Sequence, residues 1–196
     1  MNETTSPLTS TNLQPVLTSP ALTLRPLAAA DWAPLLAVAG DPLIWAGHPA
    51  HDRWQEPVFR SFFDASLASG GGLVAIDTAT GAIIGHSRYD RERVEPGEVE
   101  IGWTFLSRAH WGGSANALMK ALMISHALTQ FDRTVFLIGE TNIRSRRAME
   151  KIGGVLTDRE QVTMLAGVPI RHVLYAIDAA AFAAGPLATL LPAQAV

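Results

Sequence analysis

Residues 98–116 read EVEIGWTFLSRAHWGGSAN, and this stretch decides the architecture. Val99, Ile101, Trp103 and Phe105 alternate with Glu98, Glu100, Gly102 and Thr104, the period-2 pattern of a strand with one apolar face. Trp111-Gly112-Gly113 interrupts the pattern, and a helical periodicity starts near Ala115. A strand, a glycine-containing turn and a helix in that order leave backbone N–H groups unpaired at a helix start, where the helix dipole favours anions. Glycines at 112 and 113 carry no Cβ, so a phosphate has room to approach the main chain. Ser114 is placed to cap the helix or offer its hydroxyl. The GxxxxGK[ST] spacing of a nucleotide-hydrolase loop is missing, as is GxGxxG. A two-glycine turn on its own reads as a tight connection with no ligand, so the neighbouring segments carry the weight.

Downstream, residues 115–130 repeat apolar side chains at Leu118, Ala121, Leu122, Ser125 and Leu128, and Met119, Met123 and Ile124 widen the stripe into a largely buried helix. RTVFLIG (133–139) is a short continuous apolar run, as in a strand covered on both faces. Asn142 to Ile152 is a helix with Ser145, Ala148, Met149 and Ile152 on one side, stopped by Gly153-Gly154. VLTDRE and VPIRHVLYAI form a terminal hairpin. Upstream, LTLRPL (22–27) is a short strand, and Asp31 is the expected N-cap of a helix ending at Gly40. Residues 41–55 read as a loop rich in Trp45, His48, His51, Arg53 and Trp54. A helix starts near Pro57 and closes at Gly70-Gly71-Gly72. LVAID and AIIGHSRY are a hairpin. The expected order is β α α β β β α β α β β around one sheet.

Composition narrows the function classes. The chain has 196 residues, 48% apolar and 17% charged, with a net charge of −3 and no cysteine. That suits one domain with a real core and argues against a nucleic-acid binder, which wants a basic face. Disulfides, Cys-ligated zinc, iron–sulfur clusters and a thiol nucleophile are excluded together. His48 and His51 have no third partner in sequence, so no metal is expected. The N-terminal residues are polar with no signal-peptide pattern, and the apolar tail is broken by Gly185, Pro186 and Pro192, so neither export nor a membrane span is expected and a cytoplasmic location is. The expected division is an arm at 1–20, a domain at 21–178 and an Ala-rich tail at 179–196.

EVEIGWTF, HWGGSANALMKALMISHAL and ETNIRSRRAMEKIGG together resemble the GNAT superfamily of acyl-CoA-dependent N-acetyltransferases. LTLRPL…DW and IIGHSRYD are similar to the branch that acetylates protein N-termini, ribosomal proteins included. The likeness runs from about Leu22 to Ile177. It implies an α/β fold of the α+β kind: a mixed, mostly antiparallel sheet with a V-shaped parallel splay, flanked by helices. It implies acetyl-CoA as cosubstrate, with pantetheine wedged between GWTFL and VFLIG, so that Trp103, Thr104 and Phe105 line the arm. The pyrophosphate would meet Trp111, Gly112, Gly113, Ser114, Ala115 and Asn116. Ala109 stands where the family has Gln or Arg, with Arg108 one residue early as the stand-in, and Ser114 replaces the second glycine. Asn142 matches an Asn near the thioester end and equally suits a helix N-cap.

The resemblance makes Glu100 the candidate base that frees the amine lone pair, the alternative being a solvated strand carboxylate. Met149 occupies the position of the family's acidic Tyr. Ser145, one turn earlier, is the alternative acid or a packed small residue. Of Arg144, Arg146, Arg147 and Lys151, one is a candidate phosphate contact; the others read as a solvated face, with Arg146 and Glu150 at i, i+4. Trp45, His48, Arg88 and Tyr89 are the candidate acceptor contacts. The expected reaction is acetyl transfer to a primary amine, a protein N-terminus first and a small amine or antibiotic second, by direct attack in a ternary complex. A homodimer is left open. The alternative is an idle acyl-CoA binder or interaction module on the same fold.

Overall fold

The computed structural model describes residues 11–165 and 167–191. In chain order the strands are β1 (Leu17–Thr18), β2 (Leu22–Pro26), β3 (Gly72–Asp77), β4 (Ile83–Asp90), β5 (Glu98–Leu106), β6 (Arg133–Gly139), β7 (Val155–Leu165) and β8 (Val168–Asp178). The helices are α1 (Trp32–Ala39), α2 (Pro42–Trp45), α3 (Glu56–Ala68), α4 (Ala115–Ala127), α5 (Ile143–Lys151) and α6 (Ala179–Ala184). Three of these were not expected. β1 is a two-residue strand, α2 is one turn within the presumed loop, and α6 lies in the Ala-rich tail. Residues 1–10 of the expected arm and 192–196 of the tail lie outside the described residues.

The strands form one sheet in the order β1-β2-β3-β4-β5-β6-β8-β7. Neighbours are antiparallel except β5 and β6, which run parallel. α4 covers one face with Met119, Met123 and Ile124 fully buried against Leu24, Ile101 and Phe136. The residues read as widening the α4 stripe are thus as buried as Ala121 of the stripe itself. The other face carries α1, α2 and α3, whose Leu35, Trp45, Phe59 and Phe63 pack on Val74 and Phe105.

Two local features differ from the sequence expectation. Asp31 does not cap α1; its carboxylate takes two hydrogen bonds from Arg25 at 2.7 Å and one from the Ala28 N–H. A buried carboxylate gains more from a bidentate guanidinium than from one cap bond. The alternation read along β5 also breaks. His86 pairs with Phe105 and Arg88 with Gly102, so Trp103 and Thr104 together oppose Ser87. This β-bulge reverses the side-chain phase. Ile101 and Leu106 therefore lie in the α4 core, while Phe105 joins the opposite core, with Trp103 packed against it.

Candidate active site

β5 and β6 pair only at Glu98–Arg133, Val99–Thr134 and Glu100–Val135, and then diverge. Glu98 locks the closed end. Its buried carboxylate accepts from Arg133 Nε at 2.8 Å, Arg159 Nη1 at 2.7 Å and the Glu95 N–H at 3.1 Å. Past Glu100, β5 keeps its partner β4 and β6 keeps β8, so each presents one free edge to the gap. Buried edges of this kind call for a hydrogen-bonding partner. The gap belongs to a cleft of about 560 Å³ that extends from Glu100 to Gly112 and Gly113. At about 3.3 Å per residue, Glu100 and the end of β5 are roughly 20 Å apart.

The bulge stands in this gap. Trp103 adopts φ +52°, a left-handed conformation rare for a bulky residue. Guanidinium groups hold it there: Arg88 lies 3.4 Å and Arg93 4.8 Å from its ring centroid. Arg88 also donates to Asp90 at 2.8 Å and is not among the cleft-lining residues. Tyr89 faces away altogether, 1% exposed in the α4 core with its hydroxyl donating to the Met123 carbonyl. The structure brings neither of these expected acceptor contacts to the cleft lining: the strand end that carries them turns Tyr89 into the core and sets Arg88 against Trp103.

Glu100 lines the cleft at 1% exposure, so it is not a solvated strand carboxylate. Arg93 Nη2 donates to both of its oxygens, at 2.8 and 3.0 Å. Burial outweighs that guanidinium and pushes the carboxyl up to about 7. Lys120, on α4, was missed by sequence reasoning. It is 5% exposed, lines the same cleft, and donates to Thr104 Oγ1 at 2.7 Å. Burial brings its ammonium down to about 7, with Glu100 pulling the other way. The available signal was one charge inside an otherwise apolar helix face. His86 is fully buried, donates from Nδ1 to the Trp103 carbonyl at 3.0 Å, and is held neutral, near 4, by burial.

At the open end, Arg108 to His110 form one 3₁₀ turn before α4. Gly112 has φ +74°, and a Cβ at Gly112 or Gly113 would meet nothing within 4 Å. Among the described residues no backbone carbonyl takes the N–H of Gly112, Gly113 or Ser114. Ser114 is exposed, makes no side-chain cap, and with Ala115 lies outside the cleft lining, whereas Trp111 and Asn116 belong to it. Arg108 pairs with Asp41 and is turned away, so it is no stand-in for the missing Gln or Arg. Trp111 folds back, Nε1 donating to the Leu106 carbonyl at 3.0 Å, with Arg144 4.5 Å from its ring. Of the basic cluster on α5, only Arg144 lines the cleft; Arg146 bonds the Tyr175 hydroxyl and the Glu140 carbonyl. Asn142 caps α5 by accepting from the Ser145 N–H at 3.2 Å and also lines the cleft. Ser145 and Met149 line it one turn apart, and Trp103, Thr104 and Phe105 do so from β5.

The remaining wall comprises Ile44, Trp45, His48, Pro49, Ala50 and Arg53 with Thr163, Met164, Ile170 and His172 of the β7–β8 hairpin. Trp45 both lines the cleft and covers the core, its Nε1 donating to the Ala39 carbonyl at 2.7 Å. His48 Nδ1 accepts from the Ala50 N–H, and burial drives the ring down to about 3, so it is neutral. Arg53 lies over Trp45 and Phe62, 5.1 and 4.7 Å from the centroids. Among the described residues, no three His, Asp or Glu side chains gather as metal ligands, and no helix is long and apolar enough to cross a membrane.

Solved structures share this fold. A GCN5-related N-acetyltransferase from Brucella melitensis is 20% identical, with a TM-score of 0.73 over 91% of this chain and 86% of its own. Mycobacterium smegmatis RimJ in complex with CoA-disulfide is 18% identical, with a TM-score of 0.66 over 90% and 91%. A Vibrio cholerae protein described as a ribosomal-protein-serine acetyltransferase is 12% identical, with a TM-score of 0.68 over 86% and 99%. No curated protein matches the chain. At these identities the likeness establishes the fold. Family membership comes from the sequence profile of the acetyltransferase (GNAT) domain, which matches residues 21–155. The chain belongs to the GNAT acetyltransferase family.

Proposed function

We propose that the protein transfers an acetyl group from acetyl-CoA to a primary amine by direct attack within a ternary complex. The observation that carries this reading is the early end of the β5–β6 pairing, which leaves two free strand edges in a cleft running to a glycine turn. The residues suit the cosubstrate. Pantetheine amides find donors and acceptors on the edges of β5 and β6. The pyrophosphate finds the unpaired N–H groups at Gly112, Gly113 and Ser114, with those of Ala115 and Asn116 in the first turn of α4. Arg144 stands beside that turn. Asn142 and Phe105 flank the arm.

Glu100 takes the amine proton. It is buried, faces the cleft and is poised near neutrality, as a base working at pH 7 should be. Ser145 is the weaker candidate, since a small half-buried residue on α5 is equally suited to plain packing. Trp45 and His48 border the acceptor. A protein N-terminus ranks first as acceptor, in keeping with the description given to the Vibrio cholerae structure, and a small amine second. The rival, an idle acyl-CoA binder, draws on Met149, which cannot donate a proton where relatives use Tyr. Calorimetric titration with acetyl-CoA followed by free-thiol release over a panel of amines separates the two. Binding with thiol release for at least one amine is expected. Binding without release for any amine favours the rival.

A further inference from the structure

The cleft is lined by Arg53, Arg93, Arg144 and Lys120 against one carboxylate, Glu100, which Arg93 already occupies. Arg144 belongs to the glycine-turn end. That leaves Arg53 as the cleft cation with neither commitment. Among the described residues no carboxylate lies within ion-pair distance of it, and the charge acting on it is its chain neighbour Asp52. Trp45 and Phe62 hold the guanidinium by its face, which keeps its N–H edge available to a planar anion. His48 beside it is neutral and adds no competing charge. Resting on the acetyltransferase reading, we infer that the acceptor is an amine carrying a carboxylate a few bonds from its nitrogen, and that Arg53 receives that carboxylate. Polyamines and other polycations are disfavoured, because a cleft with excess cations repels them.

Two matched pairs test this and distinguish a peptide from a small-molecule source: γ-aminobutyrate against its amide, and an amidated tripeptide with Asp second against its Asn isostere, with spermidine as the polycation. In at least one pair the carboxylate member should have kcat/KM about 10- to 100-fold higher, the range of a charge-assisted hydrogen bond. Arg53→Met, which keeps the stem on the rings, should bring that member down to its partner's level, mainly through KM. Parity within both pairs, or a preference for spermidine, overturns the inference while leaving acetyl transfer intact. Absence of thiol release with every amine overturns both.

Lys120 supports a separate inference. Its ammonium bonds Thr104 of β5 at 2.7 Å and lies 5.4 Å from the Phe136 ring centroid of β6, so it stands between the two diverging strands. A cofactor arm threaded through that gap would run beside it. The geometry points to Lys120 as the acid that protonates the departing CoA sulfur, the task Met149 cannot perform. The amine nitrogen bonds to the carbonyl carbon and its proton passes to Glu100. The C–S bond breaks with its electron pair going to sulfur, and Lys120 delivers a proton there. A proton returned from Glu100 to Lys120 restores both groups.

Lys120→Met should lower kcat about 100-fold, the low end for a lost acid, while acetyl-CoA affinity changes less than about 3-fold. Its melting temperature should rise, because a buried ammonium with one bond is replaced by an apolar chain. Lys120→Arg, which keeps the charge but does not release a proton, should not restore kcat. Wild-type kcat in Lys120→Met, or full activity in Lys120→Arg with a lowered melting temperature in Lys120→Met, overturns the assignment.

Discussion

At Glu100, burial and Arg93 pull in opposite directions, and burial prevails. Glu100→Gln keeps the shape and removes the base. Turnover should fall about 100-fold, with acetyl-CoA affinity within about 2-fold of wild type; equal losses in both would make Glu100 a structural residue. The face of this residue was legible because the alternation of β5 holds as far as Ile101. Its depth was not, since the burial comes from β6, far along the chain, and from Arg93 folding back from the preceding loop. Lys120 was illegible for a related reason: a polar residue on an apolar helix face does not announce that a gap between strands lies above it. The burial of Tyr89 was not legible, because a strand end gives no hint which way its last side chains turn.

Two features bracket the splay of β5 from β6. Glu98 ties the closed end to Arg133 on β6 and Arg159 on β7, and the bulge at Trp103 and Thr104 interrupts β5 beyond it. Glu98→Ala leaves two guanidiniums facing a buried hole. Both are partly exposed, so the cost should be near the low end for a broken buried pair, about 3 kcal/mol in urea unfolding. A cost under about 1 kcal/mol would mean the clamp is dispensable. The strand–turn–helix order and the terminal hairpin were plain in the residue periods. The bulge was not, because VEIGWTF alternates without interruption and only the backbone of Trp103 departs from it. The parallel splay came from the resemblance alone.

Across the molecule, four buried groups with large shifts contribute to the pH response, each in a definite direction. His48 and His86 have folded values near 3 and 4, below their unfolded value of 6.5, so stability falls as pH drops from about 6.5 towards 4 and the unfolded chain takes up the protons. Glu100, raised from 4.5 to about 7, contributes stability below pH 4.5 that is lost as pH rises to 7. Lys120, lowered from 10.5 to about 7, regains stability for the fold between pH 7 and 10.5. The advantage of Glu100→Gln over wild type should therefore grow from pH 4.5 to 7. The advantage of Lys120→Met should shrink above 7. Denaturant midpoints at pH 5, 7 and 9 measure both, and pH-independent differences would contradict the burial argument. The most direct test of the whole account is calorimetric titration of acetyl-CoA into wild type and Gly113→Val. A Cβ at Gly113 meets open space, so the variant should fold normally and only the approach of a phosphate is obstructed. One-site binding by wild type, weakened at least about 10-fold in the variant, is the expected result. No binding, or equal affinity in a variant with the wild-type melting temperature, would contradict it.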